Sequence, residues 1–144
     1  MILDNFESEI HEIVDRETHA WDNKDIDKLM TVFHPEAVWP WPKNADCHDP
    51  LSWELVLGKF DYNRWSQVWI DLFNTHDLVH NHRETKRIEI SKEGDGAFAV
   101  VDIDTLWRNN KTGKDFLWKG RTCKIYSKTS TGWKMIMQTG VLNY

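Results

Sequence analysis

Several large protein classes are excluded by what this chain lacks. It has only two cysteines, Cys47 and Cys123, far apart and without metal-site spacing. A disulfide scaffold is therefore not expected; two free thiols in a cytoplasmic protein are. Lysine and arginine are scattered rather than clustered, and the net charge is −5. Neither nucleic acid nor an anionic membrane surface is expected as a partner, since both need a basic patch. No apolar run approaches the roughly 20 residues of a membrane span. The first residues are acidic and amphipathic, unlike a secretory signal. There is no repeat, linker or low-complexity segment, and no nucleophile elbow. Gly94-Asp95-Gly96 lacks the spacing and following helix of a phosphate loop.

What is present describes a folded domain. Hydrophobic residues make up 40% and charged residues 28% of 144 residues. That is enough for one domain over 1–144 and too little for two. Nine tryptophans stand out. Most must be core, yet indoles also build flat walls for planar ligands.

The first half reads as helices. Phe6, Ile10, Ile13, Val14, Glu17 and Trp21 follow one helical stripe, so a helix is expected over about 4–21 with Glu17 in line with its apolar face. Asp25 caps a second, short helix that ends at His34-Pro35. Ala37-Val38-Trp39 reads as a short strand, and Trp39-Pro40-Trp41-Pro42 as its end or an edge, showing two indoles at a rim. Asp49-Pro50 starts a helix that stops at Gly58. Asp61 caps another, with Trp65, Val68, Trp69, Leu72 and Phe73 as its stripe.

From Thr75 the period changes to two. Strands are expected over 76–91, 98–108, 116–128 and from Gly132 to the end. Ile88 and Ile90 share parity with His80 and His82. Ala99, Val101, Ile103, Thr105 and Trp107 make one face of the next strand, opposite Asp102 and Asp104. In the third, Leu117, Cys123 and Ile125 share parity with Arg121, which sets a guanidinium on an apolar face. The sum is α+β: a cone-shaped half-barrel, with N-terminal helices packed in the concave face of a strongly curved, mainly antiparallel sheet, a cystatin-like roll. Its mouth is where a pocket would form.

Three stretches carry a family resemblance: residues 21–33, from Trp21-Asp22-Asn23 to Thr31-Val32-Phe33; His34 to Trp39; and Trp118 to Lys128 with Gly132-Trp133. With these the chain resembles the nuclear transport factor 2-like superfamily, in its SnoaL-like and ketosteroid-isomerase-like branch. The resemblance implies a conical barrel with a cavity, usually a homodimer through the exposed sheet face. Members include isomerases, dehydratases, cyclases and non-catalytic domains. In the steroid isomerases a tyrosine stands eight residues before the helix-two cap; the matching residue here is Glu17. Their general-base aspartate precedes a proline, where this chain has Trp41. Their protonated acid falls on Arg121 or Thr122, depending on a one-residue register. All three groups are replaced, so the resemblance does not carry that mechanism over.

The site expected from these residues is Glu17, His82 and Arg121 as an acid–base set, with His82 as the family-style proton carrier. Trp21, Trp41, Trp69, His80, Ile103, Thr105 and Trp107 would contact the ligand. A Glu17–Arg121 ion pair that only shapes the cavity is the equal alternative. No cofactor is expected. His76, His80, His82 and His48-Asp49 are not expected to hold a metal. Two functions stay open. One is a cofactor-independent lyase or isomerase acting on a hydrophobic oxygenated substrate. The other is a non-catalytic module that binds an aromatic, carboxylated or carbonyl-bearing ligand, or only oligomerises. A β-bulge in 76–91 would flip His80 and His82 outward, and could change the side of Asp104.

Overall fold

In the computed structural model the described residues are 2–44, 46–47 and 49–141. Their elements run α1 (Ile2–Asp22), α2 (Ile26–Met30), β1 (Phe33–Val38), α3 (Tyr62–Thr75), β2 (His76–Ile90), β3 (Gly96–Asn109), β4 (Asp115–Thr129) and β5 (Gly132–Gln138). The five strands form one sheet in the order β1-β5-β4-β3-β2. Only β1 and β5 pair in parallel.

The α1 stripe forms as its spacing requires. Ile10, Ile13, Val14, Ala20 and Trp21 are buried against the sheet, and Glu17 is buried among them. The helix ends at Lys24, a non-glycine residue at φ 51°. Its ammonium donates to the carbonyls of Phe73 (3.0 Å) and His76 (2.7 Å). A cation at those carbonyls satisfies groups the α3 terminus leaves open and ties α1 to the α3–β2 corner. Asp25 and Asp61 cap α2 and α3 by accepting from Lys28 N and Arg64 N.

Two expectations from local sequence change. Residues 49–58 hold only a single 3-10 turn, Pro50–Ser52. Beyond it, Glu54 exchanges backbone hydrogen bonds with Trp41, each 2.8 Å. Leu51, Leu55 and Val56 are left exposed, so a longer helix here would have no neighbour to pack against, and the stretch pairs with the rim instead. The strand expected at Ala37 starts at Phe33 and passes through Pro35. An edge strand tolerates that missing donor.

Parity decides the interior. In β3 the face of Ala97, Ala99, Val101, Ile103, Thr105 and Trp107 is buried, as read from the sequence. Cross-strand partners share a face, so β4 presents inward the residues opposite these: Trp118, Gly120, Thr122, Lys124 and Tyr126. Arg121, Cys123 and Ile125 lie on the outer face, a reversal of the expected parity. In β2 the register shifts between Leu78 and His80 and again between Thr85 and Arg87. The first shift turns Asn81, Arg83 and Thr85 inward and His80 and His82 outward. The second restores Ile88 and Ile90 to the inner face. Bulges of this kind let a long strand curl around a helix layer.

Candidate functional site

Between the helices and the inner sheet face lies a cavity of about 770 Å³. Its walls are mostly indole: Trp21, Trp39, Trp41, Trp69 and Trp118, with Val68, Leu72 and Ile103. The rings brace one another edge to face. Trp21 and Trp69 have centroids 5.1 Å apart at 86°, Trp21 and Trp118 5.5 Å at 81°, and Trp39 and Trp41 5.2 Å at 88°. Such contacts suit the ring quadrupole and hold the walls apart. Gly140 lets the rim close: a Cβ there would collide with Pro42 and come 3.2 Å from Trp41 Cα.

The cavity floor is charged. Glu17 from α1 accepts from Lys124 Nζ through Oε1 (2.8 Å) and from Trp21 Nε1 through Oε2 (3.0 Å). Arg83 Nη1 lies 3.6 Å from Glu17 Oε2. Lys124 Nζ also donates to Gln138 Oε1 at 2.7 Å. All four residues line the cavity, and the side chains of the three charged ones are 5% exposed or less. Asn81 steers Arg83 by accepting from its Nε (2.8 Å) and from Thr105 Oγ1 (2.7 Å). Gln138 Nε2 and the hydroxyl of Tyr126, both buried, have no hydrogen-bond partner among the described residues.

One carboxylate therefore faces two cations. Burial works to raise the Glu17 carboxyl, but Lys124 and Arg83 overcome it and hold it below its ordinary value. Burial lowers Lys124; Glu17 opposes that shift and Arg83 reinforces it. Burial also pushes the Tyr126 phenol well up. Among its buried groups the floor has one more cation than anion, offset only from the exposed side by Asp22, which acts on Arg83; that excess favours an anion or loss of a proton.

Of the expected site residues, Glu17, Trp21, Trp41, Trp69 and Ile103 line this cavity. Thr105 and Trp107 face inward but are packed behind the wall, Trp107 against Phe73 and Trp118. His80, His82 and Arg121 are on the outer face, so Glu17, His82 and Arg121 do not converge. The first β2 bulge turned the histidines away. Apolar side chains occur on both faces of β4, and its pairing with β3 puts Arg121 outside. His80 Nε2 bonds Asp104 Oδ1 at 2.9 Å and its ring stacks on His82. Arg121 is paired in two places with Asp102, at 2.6 and 3.0 Å. The Glu17–Arg121 ion pair is accordingly replaced by Glu17 with Lys124 and Arg83. Of Arg121 and Thr122, it is Thr122 that meets the cavity, its hydroxyl donating to Val101 O at 3.2 Å.

Sequence reasoning missed Lys124, Arg83 and Gln138. No local signal marks Lys124, which only its pairing with Ala99 of β3 places inward, or Arg83, which the first β2 register shift turns inward. Cys123 is half-buried on the outer face, with burial raising its thiol. Among the described residues no group of three or more His, Cys, Asp or Glu is placed to hold a metal ion. His48 lies outside them. No helix among them is long and apolar enough to cross a membrane.

An open five-stranded α+β sheet wrapped around helices, with a ligand-sized cavity inside, defines the class of fold. It is the nuclear transport factor 2-like fold, as solved structures bear out. A ketosteroid isomerase-like protein from Erwinia carotovora superposes with a TM-score of 0.69 at 16% identity, covering 92% of each chain. A nuclear transport factor 2-like protein of unknown function in nutrient uptake, from Rhodospirillum rubrum, gives 0.69 at 15%, covering 94% of this chain and 98% of that one. A superfamily protein from Salmonella enterica gives 0.69 at 16%, covering 99% and 94%. A further neighbour, from Nostoc punctiforme, is described as having a cystatin-like fold. No family model matches the chain, and no curated protein does. At these identities the likeness establishes the fold and carries no activity across.

Proposed function

We propose that the cavity binds a small hydrophobic, aromatic molecule through a carboxylate or carbonyl oxygen set against Lys124, Arg83 and Gln138. The observation that carries this reading is the charge imbalance of the floor, one carboxylate against two buried cations. A ligand oxygen there would relieve the imbalance while indoles cover its rings. Glu17 and Lys124 also form a proton donor–acceptor pair, so lyase or isomerase chemistry on a carbonyl-bearing ligand is the activity this site would support. It would rest on these two groups rather than on His82.

The test is thermal shift and tryptophan fluorescence with matched pairs of aromatic carboxylic acids and their neutral amides. A ligand at about 100 times its Kd stabilises the native state by about 2.7 kcal/mol. The acids should raise the Tm and the amides should not. Equal shifts for both would remove the charge argument.

A homodimer through the outer sheet face is the partner reading that goes with this fold. Supporting it, Phe98 is 39% exposed on that face and pairs across the strands with the half-buried Ile125. A two-fold axis would set one such patch on its copy. Sedimentation should give a dimer for the native chain and a monomer for Phe98→Asp. A monomeric native chain at micromolar concentration would contradict the reading.

A further inference from the structure

We infer that Lys124 is a nucleophile that captures an aldehyde or ketone in the cavity as an imine. The inference rests on the pocket reading above in requiring that a carbonyl ligand enters, and it adds a covalent step. Lys124 lines the cavity. An ammonium has three N–H bonds, and two of those on Lys124 are spoken for, by Glu17 Oε1 at 2.8 Å and Gln138 Oε1 at 2.7 Å. That leaves one tetrahedral direction on Nζ without a partner among the described residues.

Loss of the proton is favoured by the groups around it. Arg83 keeps its charge at any ordinary pH and shares Glu17 with Lys124. With Lys124 protonated, the buried trio carries one net positive charge; release of that proton to solvent through Glu17 leaves it with none, whereas a proton held on Glu17 keeps the total unchanged. A buried lysine beside a second cation is the arrangement that activates amines toward carbonyls. Glu17, already hydrogen-bonded to Nζ, is placed to take the proton. The Nε2 group of Gln138, on the amide that touches Lys124, is a buried donor with no partner among the described residues. That nitrogen has almost no accessible surface, so it reaches a ligand oxygen once the Gln138 amide turns toward the cavity it lines.

The Lys124 ammonium gives a proton to the Glu17 carboxylate. Rotation about the Cε–Nζ bond turns the freed lone pair to the open direction, where it attacks the carbonyl carbon; a C–N bond forms and the π electrons move to oxygen. Proton transfer from nitrogen to oxygen yields the neutral carbinolamine. Glu17 then returns its proton to the hydroxyl, the C–O bond breaks, water leaves, and the nitrogen lone pair closes the C=N bond. The protonated imine carries the positive charge that the ammonium had, so its pairing with Glu17 is kept. No oxidant or reductant is consumed.

The experiment treats the full chain with 2-naphthaldehyde and sodium cyanoborohydride at neutral pH, followed by peptide mapping. In parallel, 2-naphthoate, which has the same rings and cannot form an imine, is tested by thermal shift. The expected result is a mass gain of the aldehyde less its oxygen, with labelling of Lys124 about tenfold or more above any other lysine, the mark of an activated amine. Naphthoate should suppress it. If naphthoate stabilises the protein but Lys124 is not preferentially labelled, the imine is overturned and the binding reading stands. Labelling of Lys124 with no naphthoate shift supports the imine and removes the anion reading. Absence of both overturns both. Because labelling is mapped on the native chain, the answer does not depend on a Lys124 variant folding. Lys124→Arg, where it folds, should lose the adduct.

Discussion

Glu17→Gln is expected to destabilise the protein by about 3–5 kcal/mol, the cost of stranding a buried charge by removing its partner. The glutamine amide can still accept from Trp21 Nε1, which holds 3.0 Å from the carboxylate. It cannot neutralise Arg83 and Lys124, whose side chains are 5% and 2% exposed. Lys124→Met removes the same 2.8 Å bond from the other side with a different result. It leaves Glu17 and Arg83 as a one-to-one pair and puts an apolar chain in an apolar wall. Replacing buried charge by hydrophobic groups is often neutral or stabilising, but Gln138 Oε1 loses its 2.7 Å donor, so a loss of about 1–3 kcal/mol, smaller than that of Glu17→Gln, is expected. Denaturant titration of the two variants reads the difference. Equal losses would mean that the hydrogen bond, not the charge count, governs the floor.

The same group sets an acid limb. The folded Glu17 carboxyl lies below its ordinary value of 4.5, because Lys124 and Arg83 outweigh the opposing effect of burial. Its ionisation therefore contributes stability that is full above pH 4.5 and is lost as pH falls through the folded value. Glu9, Asp102, Asp104 and Asp115 are also held low, chiefly by hydrogen bonds to Lys128, Arg121, His80 and Arg108. They are far more exposed, so solvent screening leaves them a small share. Native stability should fall steeply on acidification and that of Glu17→Gln much less. Parallel curves would contradict the assignment.

Trp69→Ala should cost about 3–5 kcal/mol, as truncation of a buried aromatic does. Trp69 touches Trp21, Trp39, Trp41 and Trp118, at centroid distances of 5.1 to 6.0 Å, so its loss unsupports four walls at once. Trp41 stands at the rim, half-exposed, and Trp41→Ala should cost about 1 kcal/mol or less, nearer the ordinary range for partly exposed sites. Both should weaken binding of aromatic acids, Trp41→Ala with its Tm nearly unchanged. A Trp69→Ala protein as stable as Trp41→Ala would show that the rings do not brace one another.

How far the residues could be read in advance follows from what kind of information each element needs. The α1 stripe was legible, Glu17 included, because helical periodicity is local: Ile10, Ile13, Val14 and Trp21 bury as spaced. The Asp25 and Asp61 caps were legible for the same reason. So was β3, where every other residue from Ala97 to Trp107 is apolar or threonine. The 49–58 segment was not: capping signals mark where a helix can start, not whether it has a face to bury. In β4, apolar residues occupy both parities, and no count of them tells Arg121 from Lys124. Its inner face became definite only when β3, whose parity is unambiguous, was set beside it in register.

The strand of His76–Ile90 shows the division most sharply. Its length and extended character are in its composition. Its two register shifts are not, because a bulge is a relation between two strands, chosen by how tightly the sheet must bend around α1. One residue at the first shift sends His80 and His82 to Asp104 outside and brings Arg83 to Glu17 inside. Amino-acid order thus dictated the helices, the meander and the presence of a tryptophan-lined interior, since these depend on neighbours along the chain. Tertiary pairing alone decided which charges share that interior, since burial of a strand residue depends on the strand beside it. The result is a floor of Glu17, Arg83 and Lys124 in place of Glu17, His82 and Arg121.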